Sequence, residues 1–211
     1  FTASPSVGDW VRANGLFETP FESQPDPVIV NAAVLALMGC LSGALWLRQR
    51  HALYGCFALA ALSGLPHNID RVRPDMNLPW PLWGVLVAVC YALHIGLITR
   101  FVLLALQRGS VGLVRALYAA MGIAMASAIA AFALAWPALW TAGLVLLNLT
   151  GVACLPVVAR SAWVERRPIA MVLLLAGVLA ILAGMYDLLL MRMGFFGGSD
   201  TSQTPRAMFF F

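Results

Sequence analysis

An acid embedded in an apolar run carries the most chemical potential in this sequence. Asp187 lies in Met185-Tyr186-Asp187-Leu188-Leu189-Leu190. A carboxylate among such neighbours costs about 2.5–3.5 kcal/mol at the centre of a spanning helix, and less near an end. Two uses would repay that cost: a ligand contact or switchable polar pair, with Tyr186 beside it, or a structural hydrogen bond to a neighbouring helix. The residues leave both open. A second group, His67, Asn68 and Asp70, follows Pro66 in the connection Pro66–Pro79. It is the nearest approach to a convergent polar set, placed at an aqueous surface, either as a lid over the mouth of a bundle or as an ordinary solvated loop. His94 stands alone in mid-span, where a histidine usually hydrogen-bonds between helices, and the same is expected of Asn31 and Asn148.

Much chemistry is excluded. All 13 basic residues are Arg, so no Schiff base and no P-loop lysine can form. His51, His67 and His94 fall at three different depths, and no His-x-x-His or Glu-x-x-His pair occurs, so no metal or haem site is expected. Cys40, Cys56, Cys90 and Cys154 all lie in apolar runs without Cys-x-x-Cys spacing and read as small apolar residues. The glycine-rich run at 194–198 lacks the context of a phosphate cradle, and there is no Gly-x-Ser-x-Gly elbow. We therefore expect no catalytic residues, no cofactor and no enzymatic activity in these 211 residues.

The elements that must hold these side chains are membrane helices. The chain is 62% hydrophobic and 10% charged, with a mean hydropathy of +0.87, whereas soluble domains are roughly 45–50% apolar and about 25% charged. A globule of this size could not bury so much apolar surface in water. A span needs about 20 apolar residues, and six stretches qualify or nearly do: 28–47, 51–65, 80–106, 111–134, 138–159 and 168–191. The second is short and would borrow residues 66–69 or pack inside the bundle. Pro27, Pro66, Pro74, Pro79, Pro137 and Pro168 are read as the joints. The continuous hydrophobicity argues against barrel strands. The expected fold is thus an all-α polytopic bundle, with residues 1–27 as an extracytoplasmic tail or linker and 192–211 as an outer loop with the start of a seventh span. Phe1 at one end and Phe209-Phe210-Phe211 at the other give the chain the look of an excerpt.

Orientation follows from arginine. With the N-terminus outside, the inner connections carry Arg48, Arg50, Arg108, Arg115, Arg160, Arg166 and Arg167 against one acid, Glu165. The outer segments carry five Arg against seven acids. Arg100, about 9 Å from the inner end of its span at about 1.5 Å per residue, can extend its side chain to the cytoplasmic interface. Scattered in this way, the arginines make no nucleic-acid patch. Gly39 with Gly43, and Ala176 with Ala180 and Gly184, form small-residue faces for close helix packing and only weakly for a homodimer.

Several landmarks together resemble the membrane part of the bacterial seven-transmembrane receptors with diverse intracellular signalling modules. They are Trp46-Leu47-Arg48-Gln49-Arg50, then Leu53-Tyr54-Gly55-Cys56-Phe57-Ala58-Leu59, the segment from His67-Asn68-Ile69-Asp70 to Asn77-Leu78-Pro79-Trp80-Pro81-Leu82-Trp83, and Tyr186-Asp187-Leu188-Leu189-Leu190 with Gly194. Tyr186 departs from the pattern, standing where a His commonly precedes the acid. The resemblance spans about Val28–Gly194 and implies a sensory input module in the bacterial inner membrane. It would receive a small ligand or an extracytoplasmic partner and act on a histidine kinase or diguanylate cyclase domain in cis, as in two-component signalling. A small transporter or channel subunit is the alternative, with Pro156 and Asn148-Leu149-Thr150-Gly151 as hints of a broken helix. A membrane-embedded transferase or hydrolase is a third class.

Overall fold

The structure is a computed structural model and describes residues 27–72, 79–164, 166 and 168–187. All regular structure among them is helical: α1 (Pro27–Gln49), α2 (Ala52–Val72), α3 (Trp80–Ala105), α4 (Val111–Ala133), α5 (Pro137–Trp163) and α6 (Pro168–Asp187). Four of these, over Val28–Gln49, Pro81–Ala105, Val111–Ala133 and Pro137–Trp163, are long and apolar enough to cross a bilayer. In α6 the apolar stretch Pro168–Leu182 is shorter. Large apolar side chains face outward all round the bundle, among them Leu37, Leu41, Ile123, Leu149, Val172 and Leu175. Such a surface belongs in lipid, and the chain is a helical membrane protein.

Helix starts follow the prolines only in part. Pro27, Pro137 and Pro168 open their helices and Pro79 precedes α3, positions where a missing N–H costs nothing. The Ser110 hydroxyl caps α4 by accepting from Leu113 N at 3.2 Å, and His51 Nδ1 accepts from Leu53 N at 3.3 Å at the start of α2. Pro66 is not a joint: α2 runs through it to Val72, so the expected loop begins some seven residues later than its prolines suggested. Buried Ala60, Ala61 and Ser63 before the proline and buried Asp70 after it hold the helix on course. Packed membrane helices commonly tolerate such a lost bond. Likewise α5 continues without a break through Asn148–Gly151 and Pro156. Pro74 lies outside the described residues.

Left-handed turns close four of the helices. Arg50, Gln107, Ala135 and Arg166 have φ between 50° and 55°, a region that disfavours a Cβ. Around two of them the amides of Arg108 and Trp136 return to the carbonyls of Leu103 and Ala131, at 3.0 and 2.9 Å, as in the glycine-type helix end built here without glycine.

Packing is sequential. α1 lies on α2 through Gly39, where an added Cβ would meet Leu62 and Ala61 at 3.0–3.3 Å, and through Gly43 above Ala58. The first small-residue face is therefore consumed within the chain. α4 presents Ala120, Ala124, Ala128 and Ala131, all buried, to Trp140, Leu144 and Leu147 of α5. Gly143 lies so close there that an added Cβ would strike the Ser127 hydroxyl and come within 3.1 Å of the Ala124 backbone. This alanine stripe, at spacings of four, four and three, is the tightest seam of the fold and was not singled out from the sequence. α6 leans on α5 and meets the end of α3 through Leu106, Val158, Ala162 and Ala170.

These contacts gather the ends of the helices into two sets. The turns bearing Arg48 and Arg50, Arg108 and Arg115, and Arg160 and Arg166 belong to one end, because short connections make consecutive helices antiparallel. The start of α1, the end of α2 and the start of α3 meet at the other, through Asn31, Asn68, Asp70 and Trp83. Arg100 reaches toward the first end, its Nη1 3.9 Å from where a Cβ on Gly109 would stand. Arg167 lies outside the described residues.

Candidate functional site

A cavity of about 660 Å³ lies between α2 and α3 on one side and α5 and α6 on the other, with Asn31 of α1 at its edge. It falls in the range of small-molecule sites. Its floor is the apolar junction of α3, α5 and α6 around Leu106 and Ala170. Its walls are Val102, Val158 and Leu173 at depth and become polar toward the end that carries Asn31 and Asn68.

One stripe of α3 builds the nearer wall. Tyr91, His94, Ile95, Ile98, Thr99 and Val102 all line it, at the three- and four-residue spacing that puts side chains on one helix face. His94 approaches the carbonyl oxygen of Ala60 on α2, with its Nδ1 at 2.7 Å. A carbonyl only accepts, so Nδ1 carries the proton, and in the neutral ring Nε2 is the acceptor. Gly64 makes this possible: a Cβ there would lie 2.8 Å from Nδ1. Three residues beyond Gly64 on α2, about 4.5 Å at a helix rise of about 1.5 Å per residue, His67 packs on Tyr91 with ring centroids 4.5 Å apart.

Three asparagines complete the polar end, and backbone carbonyls fix the sense of two of them. Asn148 Nδ2 donates to Leu144 O at 3.0 Å, which leaves Oδ1 to face α6, 3.2 Å from where a Cβ on Gly184 would be. Asn68 Nδ2 donates to Gly64 O at 2.9 Å. Its Oδ1 then accepts from Asn31 Nδ2 at 2.9 Å, bridging α2 to α1. Thr99 spends its hydroxyl proton on Ile95 O at 3.0 Å.

Set against the sequence reading, His67, Asn68 and His94 come together on one cavity. His67 is half-buried on a helix rather than in an outer loop, and it shares its cavity with His94. No group of three residues able to hold a metal ion occurs among the described residues. Asp70 does not join the cavity wall. It is 8% exposed and accepts from Trp83 Nε1 at 2.7 Å, a staple between α2 and α3. Asn31 and His94 do bond between helices, as expected, whereas Asn148 bonds within its own. Tyr186 and Asp187 end α6, and their side chains lie outside the described ones; in register Asp187 stands one turn beyond cavity-lining Gly184. Of the small-residue face of α6, Ala180 and Gly184 line the cavity and Ala176 does not; Gly177, which faces Leu155 of α5, lines it as well. Tyr91 and Thr99 were missed, although their spacing about His94 was a readable signal.

No protein-family model, no curated protein and no solved structure matches this chain.

Proposed function

We propose that this chain is the transmembrane input module of a bacterial signalling receptor, set in the inner membrane with its N-terminus outside the cytoplasm. The observation that carries the proposal is the cavity among α2, α3, α5 and α6, polar at the end that carries Asn31 and Asn68 and apolar toward Leu106 and Ala170. All six helices span in this reading, with α2 and α6 completed by the polar turns at their ends. The arginine-bearing turns face the cytoplasm, so the polar mouth faces outward, toward an extracytoplasmic stimulus.

A receptor needs an occupant that binds two arrangements of the bundle unequally. α6 is suited to be the moving element, since among the described residues it packs mainly on α5 and meets the end of α3 at Leu106. An occupant between α3 and α6 would set their separation, and a seventh helix following α6 would carry that change back across the membrane to a cytoplasmic kinase or cyclase domain of the same polypeptide. The test is signalling output in cells making the full-length protein. His94→Ala and Asp187→Asn should each change output while membrane insertion persists. Unchanged output from both would return these residues to structural roles and remove the receptor reading.

A further inference from the structure

We infer that the cavity takes an uncharged amphiphile whose head donates hydrogen bonds, a long-chain alcohol being the simplest example. The inference rests on the cavity as a binding site and adds to the receptor reading the chemical class of its ligand.

The hydrogen-bond inventory points to a donor head. His94 has spent its proton on Ala60 O, so the neutral ring offers an acceptor. Asn148 and Asn31 have each committed one amide hydrogen, to Leu144 O and Asn68 Oδ1, and each keeps a carbonyl oxygen and a second amide hydrogen. Asn68 has its oxygen and one of its two amide hydrogens engaged. A hydroxyl head donates to one of these acceptors and accepts from a remaining amide hydrogen, whereas an ester or ketone, which only accepts, leaves the acceptors unpaired. No acid or arginine stands among the described lining residues, so an ion would enter this low-dielectric site without a counter-charge, which is costly. Beyond the head, Ile95, Ile98, Val102, Leu155, Val158 and Leu173 offer an apolar channel toward the floor, suited to an alkyl chain. Such a molecule can come from the bilayer or from outside water; the site chemistry is the same.

The experiment is photolabelling of the protein in phosphatidylcholine liposomes with diazirine-bearing dodecanol, followed by peptide mapping. Matched dodecanoic acid, dodecylamine and methyl dodecanoate probes, each at neutral pH, serve as comparisons. A hexanol probe added from water distinguishes the aqueous source from the bilayer one. The dodecanol probe should label the α3 stripe around His94 and the α5 stretch around Asn148. Unlabelled dodecanol should displace it, and the three comparison probes should label those peptides about tenfold less or weaker still, the loss expected for a polar group left unpaired or a charge unmatched. Asn148→Leu should lower the labelling, and Ile181→Trp should block it sterically. Equal labelling by the amine would make this a cation site served by an acid such as Asp187, and equal labelling by the ester would remove the donor requirement; either overturns the inference. So would labelling spread evenly over lipid-facing Leu37 and Ile129. Because labelling needs no signalling, these outcomes are independent of the output assay.

Discussion

The indole Nε1 of Trp83 donates to Asp70 Oδ1 at 2.7 Å, and both side chains are withdrawn from solvent, at 6% and 8% exposure. The bond spans the connection between α2 and α3 and ties the last turn of one helix to the first turn of the next. It fixes the angle at which the Tyr91–His94–Thr99 stripe meets α2, and with it the width of the cavity. Removing the acceptor strands a buried N–H, so Asp70→Ala should cost about 1–3 kcal/mol. Asp70→Asn, which keeps an oxygen in place, should cost less. Thermal unfolding in detergent, followed by helical circular dichroism, measures both.

The α4–α5 seam should be the part of the fold least tolerant of added volume. A Cβ at Gly143 meets the Ser127 hydroxyl and, behind it, Ala124 backbone that cannot swing away. Gly143→Ala should destabilise by about 1–3 kcal/mol. Adding Ser127→Gly should recover part of that loss and leave the part due to the Ala124 backbone. Additive effects of the two substitutions would show that the seam is not where the strain arises.

Four turns hold a non-glycine residue at positive φ, and relieving one should stabilise. Ala135, φ 50°, ends α4 without a side-chain hydrogen bond of its own. Ala135→Gly should raise stability by up to about 1 kcal/mol, and Ala135→Val should lower it, because a branched Cβ is least tolerated there. A midpoint that moves down for glycine would contradict the turn geometry.

Much of this architecture was legible in the sequence because lipid imposes a simple rule. Backbone groups must be satisfied within the segment, so long apolar runs are helices, and α1, α3, α4 and α5 fall within about four residues of the apolar runs, as does the start of α6. The second element resisted because proline is a strong breaker in water and a mild one inside a packed bundle; Pro66 was read as a boundary where α2 continues. The short second stretch would borrow residues 66–69, and α2 does run through them to Val72, which puts His67 and Asn68 on the helix and on the cavity they help to line. Asp70 was misjudged for a related reason: its type announced chemistry, but its partner, Trp83, is thirteen residues away across a turn and cannot be paired with it by periodicity. The alanine stripe of α4 escaped because alanines are unremarkable singly and speak only through their spacing.

Cavity polarity predicts a graded response in any functional readout. Substitutions at His94 and Asn148 should act more strongly than Asn31→Ala, since Asn31 is exposed at the rim and held by a single bond to Asn68. Leu37→Ala, on the lipid face of α1, should be silent. Full-length protein assayed for signalling output at matched expression provides the ranking. A Leu37 effect as large as that of His94 would mean that output follows general bundle stability.

The most direct measurement is sidedness. With Cys40, Cys56, Cys90 and Cys154 replaced by Ala or Ser, single cysteines at Gln107, Ala135 and Arg166 would be exposed to a membrane-impermeant maleimide on intact cells and on inverted vesicles. A bundle whose polar mouth faces outward requires Ala135→Cys to react in intact cells, and Gln107→Cys and Arg166→Cys to react only in inverted vesicles. Labelling of Arg166→Cys in intact cells would turn the cavity toward the cytoplasm and contradict an extracytoplasmic input module.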